Sequence, residues 1–460
     1  MSDTDILTLP LHAVAELVEG REISSRELTA LSLAEIERTN PTSNAFHLVL
    51  AERAEDAAMR ADGELAAGRR RGPLHGVPIA VKDLMDIAGI ATAAGSKVLA
   101  GRIAAEDSEA VRRLEAEGAV IVGKTSMPEF AFSPASNNPH YGPVPNPWNA
   151  VHDSGGSSSG SGSAVASCVV YGATGSDTGG SIRMPSTLCG IVGLKPTFGR
   201  VSAAGAVSLS WSLDHIGPMT RAVRDAAIML DALAGHDARD PRTRLVPVDD
   251  YAGSVERGVD GVKVAVVSDD GGGEPGTPAV MEGVRLGVEA LQRAGASIAR
   301  VAIPEFIDLS MLYSSLLVIE AATYYEPFLR ERPDGLGEAV RDRLLAAYAY
   351  SPTFFVAGSQ ARAKLRRAIE ERLAGFDLVV VPGMPHEAPP LGIVQNNTRY
   401  TGPFNALGWP AIVVPTVLGD NGLPVAIQIA AHPWREDLVV RAGRVVERDG
   451  PWQGKLPGRS

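Results

Sequence analysis

A glycine- and serine-rich cluster at 175–185 contains the residue types that acyl transfer requires. It reads Gly-Ser-Asp-Thr-Gly-Gly-Ser-Ile-Arg-Met-Pro, and the N–H groups of 178–181 can face one concavity because glycine permits the backbone angles of an anion nest. Such a nest stabilises the oxyanion of a tetrahedral intermediate. Ser181, at the end of the nest, is placed to attack the carbonyl whose oxygen the nest holds. An ordinary glycine-rich turn explains this segment equally well.

A serine nucleophile needs a base, and Lys82 is the lysine whose surroundings favour that role. It follows the apolar run 77–81, which we expect to be buried, and burial lowers a lysine pKa because it disfavours the charged form. Bringing that pKa from about 10.4 to near 7–8 takes roughly three units, or about 4 kcal/mol. The alternative is a charged lysine paired with Asp83 or another carboxylate.

The segment 118–125, Gly-Ala-Val-Ile-Val-Gly-Lys-Thr, fits the phosphate-binding pattern G-x-x-x-x-G-K-[ST] letter for letter. A phosphate cradle needs those four variable residues to form a loop between a strand and a helix. Here they are apolar and mostly β-branched, which favours a strand, and Pro128 follows soon after. We therefore interpret the segment as structural and not as a nucleotide site.

The segment 156–160 fits G-x-S-x-G, the nucleophile elbow of α/β-hydrolases. That motif requires a strand running directly into it, whereas 149–154 is mostly polar. It also requires a catalytic histidine, and none of the four histidines that follow stands in a context that singles it out. The elbow is therefore the weaker interpretation.

Every residue from Ser154 to Ser163 is serine or glycine, a composition typical of flexible linkers. Its context differs from that of a linker between domains. Pro-Asn-Pro-Trp precedes it at 145–148, an apolar segment predicted to be helical follows at 164–170, and the second Gly/Ser cluster lies close behind. This context predicts an ordered loop.

Three separated blocks resemble the signature of the amidase signature family, in the order that the family has them. The blocks are Gly76-Val-Pro…Lys82-Asp, Gly155-Gly-Ser157-Ser-Ser-Gly160, and Ser176-Asp-Thr-Gly-Gly-Ser181-Ile-Arg-Met-Pro followed by Cys-Gly190 and Gly193-Leu-Lys-Pro-Thr197. Similar sequence covers nearly the whole chain and is weakest at 238–372. The first Gly/Ser block departs from the family's more usual GGSSGGSAA, because Ser159 replaces a glycine and Gly162-Ser163 replaces two alanines.

The resemblance implies a Ser–Ser–Lys triad and no metal or cofactor. Ser181 would be the nucleophile, Ser157 the bridging serine that this family associates with a cis peptide bond, and Lys82 the base acting through Ser157. The implied oxyanion hole consists of the backbone at Thr178, Gly179, Gly180 and Ser181. The residues implied to brace these loops are Asp177, Arg183 and Ser158.

The implied activity is hydrolysis of a carboxylic amide, or of a related ester or hydrazide, through an acyl-enzyme. The family also contains the glutaminase subunit of a tRNA-dependent amidotransferase, so this alternative stays open, as does a non-enzymatic scaffold. For the substrate pocket, the resemblance implies aromatic residues that could equally belong to the core. They are Phe130, Phe132, Trp211 and Trp409, with Tyr324 and Tyr325.

The fold that the resemblance implies is a single α/β domain, 1–460, with a mixed central sheet flanked by helices. Its parts would be N-terminal helices (1–70), a catalytic core (71–225), a variable specificity segment (238–372) and a C-terminal return to the core (376–460). Periodicity agrees: it predicts a β-α-β unit from 262–268, 278–294 and 297–302. Further predicted helices are 24–39, 51–68, 108–117, 221–234, most of 320–372, and 436–448, and further predicted strands begin at 77, 119, 191, 378, 411 and 425.

Composition and charge limit the classes of protein to which this chain can belong. Hydrophobic residues make up 45% of the 460, enough for a large core, and the net charge of −11 disfavours a nucleic-acid binder. Two cysteines form no disulfide framework or metal site, and neither a secretory signal nor a run of 18 apolar residues is evident. We therefore expect a cytoplasmic enzyme with a small-molecule amide as its partner and no membrane contact; homodimer formation is left open.

Overall fold

The computed structural model describes residues 2–395 and 398–458, which fold around one mixed β-sheet. In chain order the strands are β1 Phe46–Val49, β2 Pro78–Lys82, β3 Val120–Thr125, β4 Gly172–Asp177, β5 Val192–Lys195, β6 His215–Thr220, β7 Lys263–Asp269, β8 Ser297–Ala302, β9 Leu378–Pro382, β10 Ala411–Leu418 and β11 Pro424–Ala431. The 11-stranded sheet has the order β1-β3-β2-β4-β6-β5-β10-β11-β9-β7-β8. Parallel pairs at β3-β2-β4 and at β9-β7-β8 are joined by antiparallel strands.

Helices flank this sheet, which confirms the predicted α/β class with a mixed central sheet. In chain order they are α1 Asp3–Thr8, α2 Leu11–Glu19, α3 Ser25–Ser43, α4 Ala51–Ala66, α5 Glu109–Ala116, α6 Ser159–Ala166, α7 Arg183–Cys189, α8 Val223–Leu233, α9 Tyr251–Ser254, α10 Pro278–Arg293, α11 Glu305–Glu331, α12 Glu338–Ala346, α13 Pro352–Leu373, α14 Gly402–Leu407 and α15 Glu436–Asp449. Several were predicted within a few residues of these bounds, including the β7-α10-β8 unit, whose strands pair in parallel.

The sheet lies between two apolar cores, and β2 shows how one strand serves both. Ile79 and Val81 belong to the larger core, which includes α2, α8 and α15, whereas Ala80 belongs to a second core with residues of α4 and α6. Because successive side chains of a strand point to opposite faces, alternate residues of β2 enter opposite cores. Lys82 ends this strand and is buried between its neighbours β3 and β4.

Two predicted helix boundaries were wrong. The helix that begins after Ser24, with the predicted capping box to Glu27, was expected to stop at Asn40-Pro41 but runs to Ser43. Pro41 removes only one N–H near the end, and Asn44, in the left-handed region, closes the last turn by donating its N–H to the Asn40 carbonyl.

The helix predicted at 164–170 instead occupies Ser159–Ala166 and so begins inside the Gly/Ser tract. Composition concealed this start because serine and glycine favour coil over helix interiors. The tract is ordered, as predicted, and 154–163 is buried throughout. A Cβ on Gly160 would lie 2.2 Å from the Ala45 carbonyl oxygen, so glycine lets α6 pack directly on neighbouring backbone.

The helices α11, α12 and α13, hereafter the helical cap, form most of the segment in which resemblance to the family is weakest. Among the described residues, α11 is the one helix long and apolar enough to span a membrane by length and composition. Its buried residues include Phe306, Tyr313, Leu317 and Tyr325, and it packs on α12, α13 and α14. Core helices of soluble proteins have this character too, so length and composition assign α11 no membrane role.

Candidate active site

Lys82, at the end of β2, lies within hydrogen-bond distance of three serine hydroxyls. Its Nζ is 2.7 Å from Ser157 Oγ, 3.0 Å from Ser158 Oγ and 2.8 Å from Ser176 Oγ. Ser157 and Ser158 immediately precede α6, and Ser176 lies in β4. The parallel pairing of β2 with β4 thus brings Lys82 beside Ser176, and the fully buried Lys82 has no carboxylate within ion-pair distance among the described residues.

Burial lowers the pKa of Lys82 well below its ordinary value, because the charged form loses its hydration. The negative charges of Asp177 and Asp214 oppose this effect but do not cancel it. The alternative of a charged Lys82 paired with Asp83 is wrong, because Asp83 pairs with Lys124, with 3.1 Å between Lys124 Nζ and Asp83 Oδ1.

The peptide bond between Gly156 and Ser157 is cis, as the resemblance implied. It turns the chain just before α6, in a position where a Cβ on Gly156 would lie 2.5 Å from the Ala135 carbonyl oxygen. Two residues later the Ser158 N–H donates to the Ser181 carbonyl at 3.2 Å. The Gly/Ser tract and the loop that carries Ser181 are therefore in direct contact.

Ser181 opens into a cavity of about 100 Å³ that the helical cap lines on the opposite side. Thr178, Gly179 and Ser181 line it, together with Tyr313 and Leu317 of α11. Ser181 Oγ makes no hydrogen bond to any residue in the described ranges 2–395 and 398–458, although the residue is only 6% exposed. The arrangement leaves this hydroxyl free to contact a group bound inside the cavity.

The predicted oxyanion nest needs one correction. The Gly180 N–H donates to Asp177 Oδ1 at 2.7 Å, so it is already engaged, and Gly180 does not line the cavity. The backbone N–H groups of Thr178, Gly179 and Ser181 have no acceptor among the described residues. Gly180 is instead required for shape, because its φ is +133° and a Cβ there would lie 2.4 Å from Thr401 Oγ1.

Asp177 and Arg183 form a fully buried ion pair behind the loop, with 2.9 Å between Arg183 Nη2 and Asp177 Oδ1. Burial would raise the pKa of Asp177, but the charge and hydrogen bonds of Arg183 outweigh it, and the pKa lies well below its ordinary value. Arg183 also donates to Gln428 Oε1 at 2.7 Å and to Asn405 Oδ1 at 2.6 Å. The pair thus anchors the loop to the C-terminal strands, as expected of bracing residues.

Of the six aromatic residues predicted for the substrate pocket, only Phe132 lines the cavity. Phe130 is buried outside it, stacked on Tyr325 with ring centroids 4.0 Å apart. Trp211 is 49% exposed under the Arg242 guanidinium, and Trp409 is fully buried against His432. Aromatic character alone could not separate these environments.

Two residues that sequence reasoning missed, Tyr313 and Arg343, line the cavity from the helical cap. The Arg343 guanidinium donates to the Phe132 carbonyl at 2.5 Å and makes no ion pair with a carboxylate among the described residues. Both come from the segment of weakest resemblance, where no motif marks a residue. A lone basic residue among apolar and neutral groups could have been found only from the fold.

The two misleading motifs are structural, as interpreted. Residues 120–125 of the phosphate-binding pattern form β3, and Lys124 donates to the Ala91 carbonyl and Thr92 Oγ1. No strand leads into 156–160. Within the described part of the chain, no group of three or more His, Cys, Asp or Glu side chains is arranged to hold a metal ion.

Comparisons with known proteins agree with this geometry. The family model "Amidase" matches residues 27–440. The chain is 38% identical to a glutamyl-tRNA(Gln) amidotransferase subunit of Anaeromyxobacter dehalogenans, over 97% of each chain, and 37% identical to an amidase of Pseudomonas putida, over 99% of this chain and 98% of that one. The structure of a 6-aminohexanoate cyclic dimer hydrolase with its substrate superposes with a TM-score of 0.90 at 28% identity, covering 98% of this chain and 99% of that chain.

With the family model spanning most of the chain and the fold shared, the protein belongs to the amidase family, the amidase signature enzymes, and is a hydrolase of amide C–N bonds.

Proposed function

We propose that the chain hydrolyses carboxylic amides through an acyl-enzyme on Ser181, with Lys82 as the base and Ser157 as the proton relay. The observation that carries this proposal is the 2.7 Å separation of Lys82 Nζ from Ser157 Oγ in a fully buried position. A lysine kept neutral by burial can accept a proton at ordinary pH. The contact between Ser158 and Ser181 brings the relay to the nucleophile.

The three hydroxyls around Lys82 match the hydrogen-bonding capacity of a neutral amine, which has two N–H donors and one lone pair. Ser158 Oγ donates its own proton to the Ser176 carbonyl at 3.3 Å, so it must accept from Lys82. Ser176 Oγ can accept the second N–H. The lone pair is then left for the Ser157 hydroxyl, whose contact is the shortest of the three. Ser176 thus joins Ser158 as a residue that orients the base.

The reaction then runs in two balanced steps. Ser181 Oγ attacks the amide carbon while its proton passes through Ser157 to Lys82, and the developing oxyanion accepts from the N–H groups of Thr178, Gly179 and Ser181. The C–N bond breaks as the proton returns through Ser157 to the leaving amine. Water repeats the sequence on the acyl-enzyme, which yields a carboxylate and free Ser181. An ester or hydrazide can follow the same route.

The cavity indicates what kind of acyl group this site accepts. Its size, about 100 Å³, suits a small group, and its lining combines apolar residues such as Phe132 and Leu317 with polar residues such as Ser314 and Thr398. Arg343 adds one positive charge without a carboxylate partner among the described residues. We infer that the preferred amide is small and carries an anionic or strongly accepting group.

A second candidate is the glutaminase component of a tRNA-dependent amidotransferase, since the relative that is 38% identical is named as a subunit of such an enzyme. Arg343 favours it, because a free guanidinium would pair with the α-carboxylate of glutamine. The described residues that line the cavity include no carboxylate to pair with the α-ammonium group. Co-purification with two further subunits would favour this candidate; efficient hydrolysis by the isolated chain of amides without an α-amino group would count against it.

The test of the nucleophile compares Ser181→Ala with Ser163→Ala. Ser163 lies in α6, buried and outside the cavity lining, so its replacement controls for the loss of one hydroxyl. We expect Ser181→Ala to abolish amide turnover and labelling by a serine-reactive phosphonate, and Ser163→Ala to keep both. Phosphonate labelling that persists in Ser181→Ala, mapped to another residue, would overturn the assignment.

A further inference from the structure

The loop at 208–214, between β5 and β6, ends at Asp214. Its carboxylate contacts the segment 178–181, which carries the proposed oxyanion nest and is called the oxyanion loop below. Asp214 Oδ1 accepts a hydrogen bond from Thr178 Oγ1 at 2.7 Å. Asp214 Oδ2 accepts from the backbone N–H groups of Leu209 at 2.9 Å and Ser210 at 3.0 Å. One side chain therefore joins the start of the oxyanion loop to the loop at 208–214.

The same loop is held from its other side by the helical cap. Glu320 of α11 accepts from the Ser212 N–H at 2.9 Å and from Ser212 Oγ at 2.7 Å. Arg362 of α13 donates to Ser212 Oγ at 2.9 Å, and Tyr325 of α11 donates to the Ser208 carbonyl at 2.6 Å. The loop thus connects the cap to the oxyanion residues through hydrogen bonds.

We propose that Asp214 is a positioning residue for amide hydrolysis, which holds the Thr178 N–H in register with the cavity wall that α11 supplies. The proposal rests on the proposed function, since it needs the oxyanion nest at Thr178, Gly179 and Ser181. It assigns Asp214 a role that none of the signature blocks contains. Helix α11 also contributes Tyr313 and Leu317 to the cavity wall. The Asp214 carboxylate therefore fixes the position of the oxyanion loop relative to the helix that lines the acyl-group cavity.

The hydrogen bonds favour the ionised form of Asp214. The Leu209 and Ser210 N–H groups can only donate and the Thr178 hydroxyl can donate too, so the ionised carboxylate accepts all three contacts. The charged and titratable groups that interact with it are Arg242, which is itself bonded to Asp240 at 2.7 Å, together with Lys82, Tyr324 and Tyr325. Removal from water raises the pKa of Asp214, and the bonds from Thr178 and the backbone work against that rise.

The ionised Asp214 also acts on the base. Two carboxylates exert their charge on Lys82: Asp177, whose charge the adjoining Arg183 largely offsets, and Asp214. The groups in contact with Lys82 Nζ itself are uncharged hydroxyls. Because a nearby negative charge favours the protonated amine, loss of the Asp214 charge must lower the pKa of Lys82 further.

The experiment compares Asp214→Asn with Glu320→Gln. Both remove one negative charge from the same set of loop contacts, but Glu320 is not among the groups that act on Lys82. For Asp214→Asn we expect a fall in kcat of about tenfold or more, since the neutral amide loses the charge-assisted hydrogen bonds to Thr178 and the backbone, and weaker inhibition by a trifluoromethyl ketone transition-state analogue. The acid limb of kcat/KM should move to lower pH in Asp214→Asn alone.

A purely structural role would lower kcat without moving the acid limb, so an unmoved limb in Asp214→Asn would overturn the proposal. Thr178→Val, which cuts the hydrogen bond and keeps the carboxylate, should lower kcat and leave the limb in place; a shifted limb there would also overturn it. Phosphonate labelling distinguishes failure of this proposal from failure of the proposed function. If the Asp214 and Thr178 variants are labelled at Ser181, the nucleophile assignment stands whatever happens to the acid limb. If the label maps to another residue, the proposed function itself has failed.

Discussion

The Arg343 guanidinium lies 3.7 Å from the centre of the Phe132 ring, and the two side chains together form one wall of the cavity that Ser181 lines. Burial lowers the pKa of Arg343, yet an arginine keeps its charge throughout the ordinary pH range. A charge held there by an aromatic face and one backbone carbonyl is available to a ligand.

Replacing Arg343 should therefore change selectivity more than catalysis. We expect Arg343→Gln to raise KM for carboxylate-bearing amides by about tenfold or more, because a charge-assisted hydrogen bond is lost, while kcat/KM for neutral amides stays within about threefold. Arg341→Gln, on the same helix and outside the cavity lining, is the matched control. Equal losses on charged and neutral amides would contradict a role in recognition.

The lowered pKa of Lys82 predicts the pH dependence of the reaction. Below that pKa the amine is protonated and cannot accept the proton of Ser157, so kcat/KM should rise with pH and remain high on the alkaline side. Steady-state kinetics from pH 5 to 9 with chemistry shown to be rate-limiting would measure it. A flat profile over that range would contradict a lysine base.

Keeping Lys82 neutral inside the fold has a cost in stability. At pH 7 the unfolded chain binds a proton on this lysine that the folded chain binds less tightly, so the lowered pKa reduces the free energy of unfolding. We expect Lys82→Met to be inactive yet to melt at a higher temperature than the parent at pH 7. The difference should shrink as pH rises toward about 10.4, where the unfolded chain also loses that proton. A difference that grows with pH would contradict the sign of the effect.

The departure from GGSSGGSAA at Ser163 predicts an easily gained stabilisation. Ser163 Oγ is buried in α6 with no hydrogen-bond partner in the described residues, and alanine removes the unsatisfied hydroxyl while favouring the helix. We expect Ser163→Ala to raise the free energy of unfolding by about 1 kcal/mol in urea titrations. A loss of stability would indicate that the hydroxyl has a partner after all.

The sequence predicted the family and the candidate catalytic segments better than the pocket, for a physical reason. Ser181 and its nest lie in one contiguous segment, so local glycine pattern suffices to find them. The apolar run before Lys82 indicates a candidate base. Its link to Ser157 could be predicted only from the order of the family's motif blocks. The two residues come together only because β2 pairs with β4 and α6 packs against both strands.

The features that the sequence did not predict are those that local sequence patterns do not mark. Strand β4 reads Gly-Ala-Thr-Gly-Ser-Asp, and these small and polar residues give no strand signal, although β4 is buried throughout and pairs with β2 and β6. Tyr313 and Arg343 reach the cavity from helices whose positions depend on the whole cap. Asn405 braces Asp177 from far along the chain, so only the assembled sheet reveals it.

The partners of Arg183 determine when, during synthesis on the ribosome, the candidate site can be fully assembled. Lys82, Ser157 and Ser181 have all been synthesised by the time α8 emerges, but Arg183 finds Thr401 and Gln428 more than two hundred residues later. A nascent chain therefore holds a complete set of reactive groups without the frame that aligns them. The contacts of Arg183 with Thr401 and Gln428 can therefore form only after most of the chain has been synthesised.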